Sequence, residues 1–232
     1  MNSHTRRGFL RHLACGCAAA SLPFAASEAF AASAIPKTSL TADQALALLK
    51  EGNAAFMHGS CAATGASARV AALSQGQAPY AIIIGCADSR TSPEQLFSRG
   101  LGELFTIRVA GNTVDTVGLG SIEYGVAVLG APLVVVLGHT QCGAVDAAVK
   151  MVRDKARFPG VIGKLATPII PAVQSIKGND DVLNRSVRAN VDRVVAQLRI
   201  AKPIVSKAVK DGAVKVVGGV YNLESGAVNF AV

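Results

Sequence analysis

Two short runs of uninterrupted apolar residues limit what this chain can become: Ala-Ile-Ile-Ile-Gly at 81–85 and Leu-Val-Val-Val-Leu-Gly at 133–138. Runs of this length without polar alternation suit strands buried on both faces, as in a parallel sheet covered by helices. Each run delivers reactive side chains at its carboxyl end. Cys86, Asp88 and Arg90 follow the first, and His139 and Cys142 follow the second. In open α/β sheets, ligands bind just beyond those ends. Neighbouring strands lie about 5 Å apart, so if these two are neighbours, Cys86, His139 and Cys142 can converge on one point. Two thiolates and an imidazole make a zinc site with one coordination position open.

The remaining pattern alternates helix and strand. Thr41 is a plausible N-cap for an amphipathic helix to about Phe56, with Leu46, Leu49, Asn53 and Phe56 on or beside one face. Residues 59–74 read as a connection with a second short helical patch. Thr91-Ser92-Pro93-Glu94 is a helix start: hydroxyl cap, proline in the first turn, acid near the positive dipole end. A strand at 104–109 and a helix over 117–129 come next. Another helix runs from 142 to about 152. Pro168 and Pro171 limit helix before Gly178, and Asn179 or Asp180 is expected to cap a long helix with Val187, Val191, Val194, Val195 and Leu198 in its apolar stripe. A strand at 214–221, a turn at 222–226 and a last strand at 227–232 complete the chain. The fold expected is α/β: a mainly parallel sheet of four to five strands flanked by helices, with an N-terminal helical arm. Gly118-x-Gly120 does not make a dinucleotide site, because its glycine spacing fails and no acidic ribose partner follows at the usual distance.

The first 34 residues read as a leader. Arg6-Arg7 sits in Thr-Arg-Arg-Gly-Phe-Leu-Arg, an apolar stretch fills 13–26, and Ala-x-Ala sites end at Ala31 or Ala34. This matches a twin-arginine export signal with cleavage after Ala31 or Ala34. The apolar stretch falls short of the ~20 residues that span a bilayer as a helix. The residues before Cys15 and Cys17 fit a lipoprotein signal poorly. The expectation is a soluble bacterial periplasmic protein whose domain occupies 35–232, with no membrane span once the leader is removed.

Removing Arg6, Arg7, Arg11 and Glu28 from the 23 basic and 15 acidic residues leaves 20 and 14. That excess is spread along the chain, aromatics are few, and no basic run marks a nucleic-acid footprint. Of five cysteines, only Cys61, Cys86 and Cys142 remain, which is no disulfide framework. An oxidising compartment would tend to pair Cys86 with Cys142 if they arrived without metal. Twin-arginine export carries folded proteins, so zinc loaded beforehand would protect them. Cys61 reads as a space-filler near the surface.

Of the two histidines that survive leader removal, His58 lies in a polar loop, whereas His139 ends a buried strand. A structural zinc normally takes four Cys/His ligands. Here a fourth is missing, which argues for catalysis. Zinc held by two thiolates and a neutral histidine polarises water less than three histidines would, so help from neighbours is expected. Asp88 supplies an acceptor for the water's proton, and Arg90 can hold that carboxylate away from the metal.

Cys86-Ala87-Asp88-Ser89-Arg90 together with His139-Thr140-Gln141-Cys142-Gly143 resembles the β-class carbonic anhydrases. The resemblance extends through Glu51-Gly52-Asn53, Phe105-Thr106-Ile107-Arg108, Ser121-Ile122-Glu123-Tyr124 and Gly219-Val220-Tyr221. It implies one zinc per chain on Cys86, His139 and Cys142, with Asp88 and Arg90 as the catalytic pair and Asp88 on the metal only in a closed form. It implies interconversion of carbon dioxide and bicarbonate by attack of zinc-bound hydroxide, in a homodimer or a multiple of dimers. A carbon dioxide pocket at the dimer interface is implied from Gln77, Phe105, Tyr124 and Gly143. Hydrolysis of carbonyl sulfide or carbon disulfide on the same site is an alternative the motifs leave open. A non-catalytic zinc or thiol-redox module is a weaker one, since it leaves Asp88 and Arg90 idle. Some β-class enzymes have a bicarbonate pocket that stabilises the closed site, built from a tryptophan, an arginine and a tyrosine. Arg108 and Tyr221 match the last two, but Ile83 stands where the tryptophan would be. An open resting site is therefore expected.

Overall fold

Every residue of Ala81–Gly85 (β1) and of Leu133–His139 (β3) is buried, as strands covered on both faces require. The computed structural model describes residues 37–59 and 66–231. Between the two strands lie a short helix, α3 (Pro93–Leu96), the edge strand β2 (Leu104–Arg108) and helix α4 (Thr116–Ala127). Strands β4 (Lys215–Tyr221) and β5 (Val228–Ala231) complete a five-stranded sheet of order β2-β1-β3-β4-β5. The first four strands are parallel and β5 returns antiparallel to β4. The α/β class and mainly parallel sheet expected from sequence are what the chain forms. Because the chain leaves β1 for β2 and then crosses back to β3, the strand order reverses between β1 and β3, where a ligand crevice opens in such sheets.

Alternate residues of the central strands serve two cores. Ile83, Val135, Leu137 and Val217 pack under helix α1 (Ala42–Met57), against Leu46, Leu49 and Phe97. Ile82, Ile84, Val134, Val136 and Val216 pack on the opposite face against α4 and helices α8 (Val182–Arg199) and α9 (Ile204–Lys210). Gly125 lets α4 approach closely, since a Cβ there would stand 2.6 Å from Ile82 Cδ1. A third cluster gathers Cys86, Cys142, helix α5 (Gly143–Arg153), Ala166, Ile169 and Val173.

Thr41 caps α1 through a full capping box with Gln44. Ala66–Leu73 (α2) is the second helical patch. Element ends differ from the sequence reading by one or two residues, and at two helix starts the side chains involved are visible. Helix α4 starts one residue earlier than the pattern suggested, because the Asp115 carboxylate accepts from Gly118 N–H at 2.7 Å. The N-cap position of α8 is Asp181, in a left-handed conformation with no side-chain cap bond, and neither Asn179 nor Asp180 fills it. Those residues are engaged elsewhere: Arg153 donates to Asn179 Oδ1 and Arg185 to the Asp180 carbonyl. Pro168 and Pro171 do not abolish helix; each sits in the first turn of a short piece, one of them α7 (Ile170–Gln174), after α6 (Ile162–Ala166). Among the described residues no helix is long and apolar enough to cross a membrane. The leader and Cys61 lie outside the described residues.

Candidate metal centre and active site

Residues Gly85 and Leu137 are paired in register, so Cys86 leaves β1 beside the end of β3. His139 is the last residue of β3, opposite Tyr221 of β4. A left-handed residue, Gln141 (φ 54), turns the chain so that Cys142 becomes the N-cap of α5. All three side chains are buried, and their candidate ligand atoms lie within 4.8 Å of one another. The two sulfurs are 3.9 Å apart, as free thiols. This Cys-His-Cys group could hold a metal ion.

The donor chemistry fits that role. His139 Nδ1 lies 2.9 Å from the Thr140 carbonyl, which can only accept, so the tautomer of the neutral ring that this contact selects presents its lone pair on Nε2. Nε2 is buried with no hydrogen-bond partner. An orphaned buried nitrogen is costly, and a cation in front of its lone pair removes the cost. Of the two thiols Cys86 ionises first: the Cys142 thiol hydrogen-bonds to it and, with His139 and the backbone N–H groups of Gly111 and Asp88, outweighs burial to bring it down to about 4. Cys142 is pushed up by that same shared bond and by burial, although the N–H groups of Val145 and Ala144 oppose this. A thiolate pair and a neutral imidazole are a zinc-type donor set.

Asp88 is held beside this group. Arg90 Nε donates to Oδ1 at 2.9 Å and Nη2 to Oδ2 at 2.8 Å, while Arg90 N–H donates to Oδ1 at 3.0 Å. The Arg90 hydrogen bonds hold the carboxyl well below the usual carboxylate range. Asp88 Oδ2 stands 3.8 Å from His139 Nε2. The loop itself is pinned by Thr91, whose hydroxyl donates to the Asp88 carbonyl at 2.9 Å, and by Arg108. The Arg108 guanidinium donates to the carbonyls of Cys86 (2.9 Å) and Asp88 (2.6 Å).

The sequence-derived pocket residues fall into two places. Gly143 opens α5 beside Cys142, with open space where a side chain would be. Phe105 pairs with Ile82, four residues before Cys86, and so sits roughly 13 Å down the sheet at ~3.3 Å per residue. Its ring lies 6.2 Å from that of Tyr124, which is partly exposed on α4. Gln77 is exposed in the extended segment before β1. Sequence reading did not find Gly111, whose N–H lies 3.2 Å from Cys86 Sγ, nor Asn190, which donates to the Gly111 carbonyl at 2.9 Å. A turn glycine and one amide on the apolar face of a helix carry no motif.

Fold and site together define a β-class carbonic anhydrase architecture, and comparison agrees: residues 81–228 match the family model described as carbonic anhydrase. The chain belongs to the β-carbonic anhydrase family of enzymes. It is 40% identical over 182 residues to carbonic anhydrase 2 of Mycobacterium tuberculosis, covering 77% of this chain and 87% of that one. Among solved structures it is similar to the Coccomyxa β-carbonic anhydrase in complex with acetazolamide (TM-score 0.62, 32% identity, 80% of this chain and 85% of that one). It is also similar to a tetrameric β-carbonic anhydrase of Sordaria macrospora (TM-score 0.62, 26% identity, 69% and 84%).

Proposed function

We propose that this chain catalyses the reversible hydration of carbon dioxide, with one zinc ion held by Cys86 Sγ, His139 Nε2 and Cys142 Sγ. The observation that carries this is the orphaned Nε2 of a buried histidine converging with two buried sulfurs. Zinc bound there supplies the Lewis acidity that makes water a nucleophile near neutral pH. The Asp88 carboxylate, 3.8 Å from His139 Nε2, would accept a hydrogen bond from the attacking water and orient it toward carbon dioxide. Arg90 keeps the carboxylate ionised and turned away from the cation, which it would otherwise ligate.

Phe105 and Tyr124 lie too far down the sheet for their own chain's centre, so we assign them, with Gln77, to carbon dioxide binding across a homodimer interface. There apolar rings admit an uncharged linear molecule. The Gly143 N–H at the start of α5 and the Gln77 amide stabilise charge developing on its oxygens. The Arg6-Arg7 leader supports export of the folded chain to the periplasm, with residues 35–232 as the mature enzyme.

Stopped-flow assays of zinc-loaded protein on carbon dioxide, carbonyl sulfide and carbon disulfide side by side test the reading. Carbon dioxide hydration far above the other two is expected. Hydrolysis of a sulfur substrate without carbon dioxide hydration would overturn it.

A further inference from the structure

Helix α8 carries a buried amide that the catalytic reading leaves unused. Asn190 is 1% exposed and lies in the apolar stripe between Val187 and Val194, where an unpaired side-chain amide would be costly. Its Nδ2 donates to the carbonyl of Gly111 at 2.9 Å. Gly111 is itself buried, in a tight turn at φ 76, ψ 18, and directs its N–H at Cys86 Sγ from 3.2 Å. The turn is closed by Asn112 N–H donating to the Val109 carbonyl at 2.8 Å, and Val109 N–H is tied to Gly85 at the end of β1. A Cβ on Gly111 would stand 2.6 Å from Ile169 Cδ1, so the turn is also packed from outside.

We infer that Asn190 is a positioning residue of the metal centre: it fixes the Gly111 peptide so that one N–H is directed permanently at the Cys86 sulfur. This rests on the reading of Cys86, His139 and Cys142 as the metal ligands. A hydrogen bond to a ligating thiolate draws charge from the sulfur and leaves the metal more electrophilic, and such outer contacts also set ligand orientation. With two thiolates in the donor set, a centre of this kind is short of positive charge, so each N–H directed at sulfur matters. Without the Asn190 amide, the Gly111 carbonyl loses its anchor and the N–H drifts from Cys86.

Cobalt(II) substitution tests this, because the thiolate-to-cobalt charge-transfer band reports electron donation by sulfur directly. Wild-type chain, Asn190→Ala and Asn53→Ala are loaded with cobalt and, separately, titrated with zinc against a chelator. Asn53 is the control: it is also a buried amide, but it bonds the backbone at Leu96, Gly226 and Val228. In Asn190→Ala the band should move to longer wavelength and zinc affinity should fall about 10-fold, while Asn53→Ala loses stability with the band unmoved. If Asn190→Ala does not fold, Asn190→Asp keeps the volume and removes the donor, and the same shift is expected. An unchanged band in a folded Asn190 variant, or an equal shift in Asn53→Ala, overturns the inference. A wild-type chain that binds cobalt with no thiolate band instead overturns the ligand reading beneath it.

Discussion

Arg90 grips Asp88 with two parallel hydrogen bonds, Nε to Oδ1 at 2.9 Å and Nη2 to Oδ2 at 2.8 Å, while Oδ2 remains 3.8 Å from His139 Nε2. The carboxylate therefore stands close enough to a cation at the Cys-His-Cys group to reach it, and is held back by its partner. Removing the guanidinium frees a partly buried carboxylate to seek the nearest positive charge. Arg90→Ala is expected to lose at least 10-fold in kcat/KM, with Asp88 on the metal in a crystal structure of the zinc-loaded variant. Asp88 still remote from the metal, with turnover intact, would remove that role from Arg90.

The same pair makes a pH prediction. Asp88 is depressed chiefly by the Arg90 hydrogen bonds, so its contribution to stability is present above the ordinary carboxylate value of about 4 and lost as pH falls through the lower folded value. The stability difference between wild type and Asp88→Asn should be constant from neutral pH down to about 4 and shrink below. Thermal melts across that range check it; a difference that vanishes near neutrality contradicts it.

Ile83 is fully buried and paired between Thr106 and Val135, and it offers no donor to an anion. Arg108, which a bicarbonate pocket would need, directs its guanidinium at the Cys86 and Asp88 carbonyls instead. Burying bicarbonate without donors is costly. Activity is therefore expected to fall on acidification along a single-proton curve centred near ~7, a value typical of water on catalytic zinc and reached here with the help of Asp88, with no cooperative inhibition by bicarbonate. Initial rates over pH with added bicarbonate decide this; a steep multi-proton collapse that bicarbonate deepens would contradict it.

Asn53 ties three segments together: Nδ2 donates to the carbonyls of Leu96 (3.1 Å) and Gly226 (2.9 Å), and Oδ1 accepts from Val228 N–H (2.8 Å). Asn53→Ala leaves three backbone groups without partners at the junction of α1, α3 and β5. A loss of about 2–4 kcal/mol in denaturant unfolding is expected; a change under about 0.5 kcal/mol, the range of ordinary surface substitutions, would contradict it.

The parts of this molecule legible in sequence are those written in apolar period and in rare side chains. Unbroken runs at 81–85 and 133–138 revealed two central strands; Cys86 and His139 stood out because each followed directly on such a run, and Cys142 because it came three residues after His139. Asp88 and Arg90 were legible as a pair because a single loop residue, Ser89, stands between them. Tertiary partners left no such trace. Asn53 and Asn190 read as polar interruptions of apolar helix faces, since their partners are backbone groups 43 and 79 residues away. The cap of α8 lies one or two residues beyond the Asn179 or Asp180 that the pattern offered, and Arg153 and Arg185, the one distant in sequence from that helix and the other internal to it, draw on those two residues.

Cys86, His139 and Cys142 are proposed to hold one catalytic zinc. Metal analysis of protein purified without chelator, paired with stopped-flow carbon dioxide hydration on the same samples, tests it most directly in wild type and Cys142→Ser. About one zinc per chain, as a single three-ligand site implies, with hydration that disappears in Cys142→Ser along with most of the metal, is the expected result. Full activity in wild-type protein that contains no zinc and carries a Cys86–Cys142 disulfide would contradict it.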